Sequence, residues 1–334
     1  MSWKLYAVVM VLIALGAAGT FAVRPVDHRP STVETLRVAD AHQITSALLY
    51  IAVTEHYFAD DGLAVVVKPY ASGKAAFAAL LDGKADVATV AEAPFIRAVL
   101  ESKPVQVFAS IVTSDKDFAV TARTDAGITT PKDLHGKRIG TIPGTGGEAF
   151  LDLFLAMHDL NRSGVVVVPF TPDEAVAALA QGSIDAVSAW TTVRLQAQAK
   201  LPDGTVSFFG DGLYTKIWTL ASRQEFLHRR PEVIQKLLRA LLKAERFTIE
   251  HQPQAIDIVA RQLGLDPETV AALWDNFGFT VGLDQALVVN LEHLTRAVTH
   301  LQPPVELPNF LHRVYLDGLA AVAPTRVTVP HSGG

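Results

Sequence analysis

An internal repeat constrains this chain more than any other feature. Val65-Val-Val-Lys-Pro-Tyr70 returns as Val165-Val-Val-Val-Pro-Phe170, and Ala79-Leu-Leu-Asp-Gly-Lys-Ala-Asp86 returns as Ala178-Leu-Ala-Gln-Gly-Ser-Ile-Asp185. Upstream, Leu36-Arg-Val-Ala39 resembles Lys137-Arg-Ile-Gly140. Each copy alternates short β-branched runs with longer helical ones, the pattern of an α/β unit on mainly parallel strands. Two such units in tandem imply two lobes with a core each. A chain of 334 residues that is 49% hydrophobic has enough apolar side chains for both.

In the first copy, 36–39, 63–70, 86–90 and 105–112 read as strands, separated by helices over 44–58, 77–81 and 94–101. The turn-rich stretch 123–134, with Asp125, Gly127 and Pro131, reads as a crossover between lobes. A second crossover is expected over 216–222, where the β-like Ile217-Trp-Thr-Leu-Ala221 follows Gly210 and Gly212. Everything after it reads as helical, beginning with an amphipathic helix over 231–250 whose basic stripe, Lys236, Arg239, Lys243 and Arg246, is a solvated face or a docking surface. The organisation expected is 36–123 for the first part of lobe 1, 124–215 for lobe 2, 216–320 for a helical return to lobe 1, and 321–334 as a tail.

Ahead of the repeat, Lys4 is followed by an uncharged apolar run over 5–23 and then a polar, Pro-containing linker over 24–35. As a helix the run would extend roughly 28 Å, which suits either a signal peptide or a single membrane anchor. The small residues Gly16 to Gly19 and Thr20-Phe-Ala22 suit a cleavage site. Either way the folded part is expected outside the cytoplasm, in the periplasm.

A formal charge of -5 with scattered Lys and Arg gives no concentrated basic face, so no nucleic-acid partner is expected. The chain has no cysteine, which removes disulfides, thiolate catalysis and thiolate metal sites. Neither His-Glu-x-x-His nor Gly-x-Ser-x-Gly occurs. We expect no metal, no cofactor and no enzymatic chemistry.

Four stretches carry a family resemblance. They are Thr130-Pro-Lys-Asp-Leu-His-Gly-Lys-Arg-Ile-Gly140, the Gly144-Thr-Gly-Gly147 helix start, Ala177-Ala-Leu-Ala-Gln-Gly-Ser-Ile-Asp-Ala-Val-Ser-Ala-Trp190, and Ser222-Arg-Gln-Glu-Phe-Leu-His-Arg-Arg-Pro-Glu232. Together they resemble the nitrate, sulfonate and taurine type of periplasmic substrate-binding protein, over nearly all of 36–300. The resemblance implies a two-lobed periplasmic binding protein fold with two crossover hinge strands. It implies lobes that close on a small-molecule ligand and deliver it to an ABC permease with a cytoplasmic ATPase; we expect the mature protein to be a monomer. The family's usual Trp-Glu-Pro stands here as Trp190-Thr-Thr192, so no single relative's ligand carries over.

In open α/β sheets ligands sit beyond the carboxyl ends of the strands. After 138–142 comes Pro143-Gly144-Thr145-Gly146-Gly147-Glu148, whose glycines let backbone N–H groups at a helix start approach an oxyanion. The matching loop of the first lobe offers Asp40 as an acceptor and His42 and Gln43 as donors. Ser72 and Gly73 open a helix after the second strand. After the third strands stand Glu92 in one lobe, and Trp190 with Thr191 in the other, the Trp as an apolar wall. The helix start suits a sulfonate or carboxylate, while Glu92 and Glu148 beside the cleft would favour a zwitterion or a polar heterocycle over a naked inorganic anion, so the expected ligand is sulfonate-, zwitterion- or heterocycle-like. Two other readings remain open. A membrane-anchored sensory module would use the same closing lobes. A dinucleotide oxidoreductase would use Gly144-Thr-Gly-Gly-Glu-Ala149 as Gly-x-Gly-x-x-Ala, although Phe170-Thr171 stands where its acidic residue belongs.

Overall fold

The computed structural model describes residues 34–210, 212–299 and 307–330; the apolar run over 5–23 and most of the linker lie outside them. Among the described residues no helix is long and apolar enough to cross a membrane.

Each copy of the repeat builds its own sheet. Strands β1 (Glu34–Asp40), β2 (Leu63–Pro69), β3 (Val87–Val90), β4 (Val105–Ser114), β10 (Lys216–Arg223) and β11 (Gly278–Gly282) form one, in the order β11-β4-β10-β3-β1-β2. Strands β5 (Phe118–Arg123), β6 (Arg138–Thr141), β7 (Val166–Pro169), β8 (Ala186–Trp190) and β9 (Thr205–Phe209) form the other, in the order β7-β6-β8-β5-β9. The trios β2-β1-β3 and β7-β6-β8 are parallel and arranged alike, and even the register repeats: Arg37 lies opposite Val66, and Arg138 opposite Val166. The repeated aspartates explain themselves as clamps between first and third strands. Asp86 accepts from the Arg37 N–H at 3.0 Å and from its guanidinium at 2.7 Å. Asp185 accepts from the Arg138 N–H at 2.8 Å and from its guanidinium at 2.7 Å.

The fourth strand of each sheet arrives from the other lobe: β5 pairs antiparallel with β8, and β10 antiparallel with β3. The first crossing therefore runs between Ser114 and Phe118, earlier than the stretch 123–134 expected from turn residues. Phe118–Arg123 belongs to the second sheet because its backbone is paired on both sides there, Ala119 with Ala189 and with Phe209. The turn residues of 123–134 instead make two short 3-10 turns, the second closed by a capping box between Thr130 and Asp133. The second crossing leads from Phe209 into Lys216, next to the stretch expected.

The return segment is not helical throughout. Gly278-Phe-Thr-Val-Gly282 alternates buried Phe279 and Val281 with exposed neighbours and adds β11 antiparallel to β4. Nor do the last described residues hang free, since Thr328 N–H donates to the Leu283 carbonyl at 2.8 Å. Helix Pro231–Glu250 has proline at its first position, and it buries Ile234, Leu237, Leu238 and Leu241 where it packs between helices Ala47–Thr54 and Asp317–Val322. Each such side chain withdrawn from water contributes roughly 1.5–3 kcal/mol. Most of its basic stripe is internally engaged: Lys236 reaches Glu34 at 2.8 Å, Arg239 reaches Asp61 at 3.4 Å and Lys243 reaches Asp60 at 3.3 Å.

Candidate functional site

The carboxyl ends of both parallel trios face one another across a cleft, and there the loops of the repeat meet. Helix Gly73–Leu81 opens on Ser72, whose hydroxyl caps the Ala75 N–H at 3.2 Å. Helix Gly146–Met157 opens opposite it, beyond Thr145. The two helix starts are joined across the cleft by Lys74, whose ammonium donates to the Pro143 carbonyl at 2.7 Å. Between them lies a small cavity of about 20 Å³, room for little more than a water. Its charged lining side chains are Lys74 and Lys216, both cationic.

Lys216 is 2% exposed. Its ammonium pairs with the buried Asp117 carboxylate, approaches Gln43 Oε1 at 3.4 Å, and sits 4.3 Å from the Trp218 ring and 5.1 Å from Phe118. Asp117 also accepts from the Thr191 N–H at 3.4 Å. Nearby, burial pulls Arg194 below its ordinary value, with Asp117 opposing; its guanidinium stacks 5.1 Å from Phe209. The Trp218 indole nitrogen is buried without a partner, in a ring that lines the small cavity.

Several expected site residues converge here: Gln43, Ser72, Gly73, Thr145, Gly146 and Trp190 all line the small cavity. Gly146 is required by packing, because a Cβ there would stand 2.5 Å from Phe118 Cζ. Gly147 lies against the sheet, where a Cβ would meet the Ser188 carbonyl at 2.9 Å. Gly144, at φ +73°, faces the Lys74 side chain across the cleft. Trp190 is also a wall of a second, larger cavity of about 140 Å³, which His42 lines as well.

Four expectations need correction. Asp40 is wholly buried, and its carboxylate is consumed by the Tyr50 hydroxyl at 2.7 Å, the His42 N–H at 2.9 Å and the Thr89 hydroxyl at 3.2 Å; it holds its loop rather than offering an acceptor to the cleft. Glu92 turns inward, accepting from the Tyr214 hydroxyl at 2.8 Å and the Ile217 N–H at 2.5 Å. Burial pushes its carboxyl up to about 7, against the opposing pull of those donors and of Lys216. Glu148 accepts from the Gly144 N–H at 2.8 Å and pairs with Arg162 at 3.2 Å and Arg97 at 3.7 Å, so it ties the loop and the lobes together. Thr191 spends its hydroxyl on the Asp117 carbonyl at 3.2 Å. With both glutamates withdrawn, their argument against a simple anionic head group falls away.

Sequence reasoning missed Lys74, Asp117, Phe118, Lys216 and Trp218. One signal was available: a lone charge set in the apolar run Lys216-Ile-Trp218 must find a buried partner. Among the described residues no group of three or more His, Asp or Glu side chains could hold a metal ion.

The sequence profile of the family described as NMT1/THI5 like matches residues 43–255. A putative aliphatic sulfonates-binding protein of Bacillus subtilis (strain 168) is 27% identical over 277 residues, 81% of each chain. A putative binding protein of Brucella abortus (strain 2308) is 28% identical over 139 residues, so the match spans 40% of this chain and 43% of that one. Among solved structures, the periplasmic aliphatic sulphonate binding protein SsuA from Escherichia coli superposes with a TM-score of 0.71 at 18% identity, covering 84% of this chain and 97% of that one. That likeness establishes the periplasmic binding protein fold.

Proposed function

The chain belongs to the NMT1/THI5-like family, and from that premise we propose that it is the extracytoplasmic solute-binding component of an ABC importer, taking a small organic anion between its lobes. The observation that carries this reading is the small cavity: two helix amino termini converge on it, and the charged side chains lining it are Lys74 and Lys216. Helix starts carry partial positive charge and unpaired N–H groups, so they complement an oxyanion. The ammonium of Lys216, held against Asp117, adds a buried N–H donor at the edge of the cavity, where a charge-assisted hydrogen bond is stronger than in water. A sulfonate or carboxylate, admitted as the lobes part, matches that set of donors, and the sulfonate-binding names of the relatives agree with it.

The cleft performs no chemistry in this reading. It captures the anion, the lobes close, and the closed form presents the ligand to a membrane permease driven by a cytoplasmic ATPase. The protein acts as a monomer outside the cytoplasm. A nicotinamide oxidoreductase is disfavoured because β7 runs into Phe170-Thr171 without an acidic residue.

The test is calorimetric titration of the purified chain with methanesulfonate, acetate, nitrate and an uncharged amide control. Thermal melts run alongside, since an anion at about 100 times its dissociation constant adds roughly 2.7 kcal/mol. Binding of the organic anions and not of the amide supports the proposal; indifference to all of them defeats it.

A further inference from the structure

The small cavity has room for a compact head group only, yet Trp190, which lines it, is also a wall of the 140 Å³ cavity. That larger cavity is built from both halves of the molecule. Tyr70, Leu263 and Leu265 contribute apolar surface from one side and Pro172, Trp190 and Val193 from the other, with His42, Asp173, Thr192 and Gln196 as the polar part of the lining. The two leucines come from the helical return and flank Gly264, which ends helix Gln252–Leu263 in the left-handed conformation at φ +65°. The turn it makes is closed by the Leu265 N–H donating to the Ala260 carbonyl at 3.0 Å, and both leucines line the cavity together.

We infer that the ligand carries a single six-membered ring beside its anionic group, and that this ring lies between Trp190 on one lobe and Leu263 and Leu265 on the other. The inference rests on the anion reading above and adds the class of substituent. An apolar cavity of about 150 Å³ takes one benzene ring, and the space beside Trp190, about 140 Å³ with His42, Asp173, Thr192 and Gln196 on its polar side, is of the size of one ring. A flat ring also matches a slot with an indole wall, against which it stacks or meets an edge. Because the slot is completed by both lobes, the ring is gripped only when they close, which ties recognition of the organic part to closure.

The experiment compares methanesulfonate, benzenesulfonate and naphthalene-1-sulfonate on the wild-type chain and on Leu265→Phe and Leu265→Ala, by calorimetry. On wild type, benzenesulfonate binds at least about tenfold tighter than methanesulfonate, and naphthalene-1-sulfonate more weakly than benzenesulfonate. Leu265→Phe fills the slot and removes the benzenesulfonate advantage while methanesulfonate is unchanged. Leu265→Ala widens it and improves naphthalene-1-sulfonate relative to benzenesulfonate. If all three bind wild type alike, or Leu265→Phe weakens methanesulfonate as much as benzenesulfonate, the ring slot is wrong and the anion site stands. If none of the three binds, the anion reading itself has failed and the ring slot falls with it.

Discussion

Asp117 and Lys216 occupy matching places in the two halves of the molecule. One stands just ahead of β5, the other begins β10, and their side chains meet as a buried ion pair between the two crossings, 3% and 2% exposed. Removing two charges from water costs several kcal/mol, offset here by their mutual attraction, by Gln43 and the Thr191 N–H, and by two aromatic faces. The pair fixes the crossings relative to each other and leaves the ammonium at the edge of the head-group cavity.

Lys216→Met strands the Asp117 charge and is expected to lower stability by about 3–5 kcal/mol. Lys216→Met combined with Asp117→Asn should recover most of that loss and still fail to bind a small organic anion. Chemical denaturation and calorimetry separate the two effects. A double variant that binds as wild type does would show that the counter-charge is not Lys216.

Glu92 makes stability depend on pH. Its folded carboxyl lies at about 7, above the ordinary 4.5, chiefly because it is fully buried. The folded state thus holds a proton that the unfolded chain has released, so this group's contribution is complete below about pH 4.5 and is lost as pH rises through 7. Its size is on the order of 3 kcal/mol. Urea unfolding at pH 5 and pH 8 should show the decline, and Glu92→Gln should flatten it. An unchanged slope in the variant would place the titration elsewhere.

Gly146 and Gly147 are expected to separate ligand binding from stability. An alanine at Gly147 meets the immovable Ser188 carbonyl and should cost about 1–3 kcal/mol of stability. An alanine at Gly146 meets the Phe118 ring, a side chain that can shift toward the small cavity it lines at some cost in its packing on Phe150 and Tyr214, so anion binding should fall by more than the melting temperature does. Equal melting temperatures for the two variants would count against this division.

Lys74 links the lobes across the mouth of the small cavity through the Pro143 carbonyl. Lys74→Ala should leave the melting temperature nearly unchanged, because the link is exposed, and shift the ligand-free ensemble toward open lobes. Small-angle scattering would read this as a larger radius of gyration that contracts when the anion binds. A radius identical to wild type without ligand would show that Lys74 does not hold the cleft shut.

Much of this molecule is local enough to be legible in the chain. The repeated Val-Val-Val-x-Pro-aromatic runs became the second strands, and the repeated Gly-x-x-Asp segments placed Asp86 and Asp185 on their arginine clamps. Thr145, Gly146 and Trp190 could be placed beside the small cavity from the chain because strand ends, glycine turns and helix starts are written in consecutive residues. Turn residues alone misled at 123–134, since a 3-10 turn and a crossing use the same amino acids.

Sequence by itself determined two α/β lobes and the loops that face one another, because hydrophobic period and turn chemistry act over a few residues. Only the tertiary structure decided which charges serve the cleft. Lys216 and Asp117 lie 99 residues apart and Glu92 and Ile217 lie 125 apart, so nothing near Glu92 in the chain reveals that donors on the second crossing draw it inward. A carboxylate faces whichever partners satisfy it once water is gone, and those partners are brought together only when both lobes have folded and the chain has crossed between them twice.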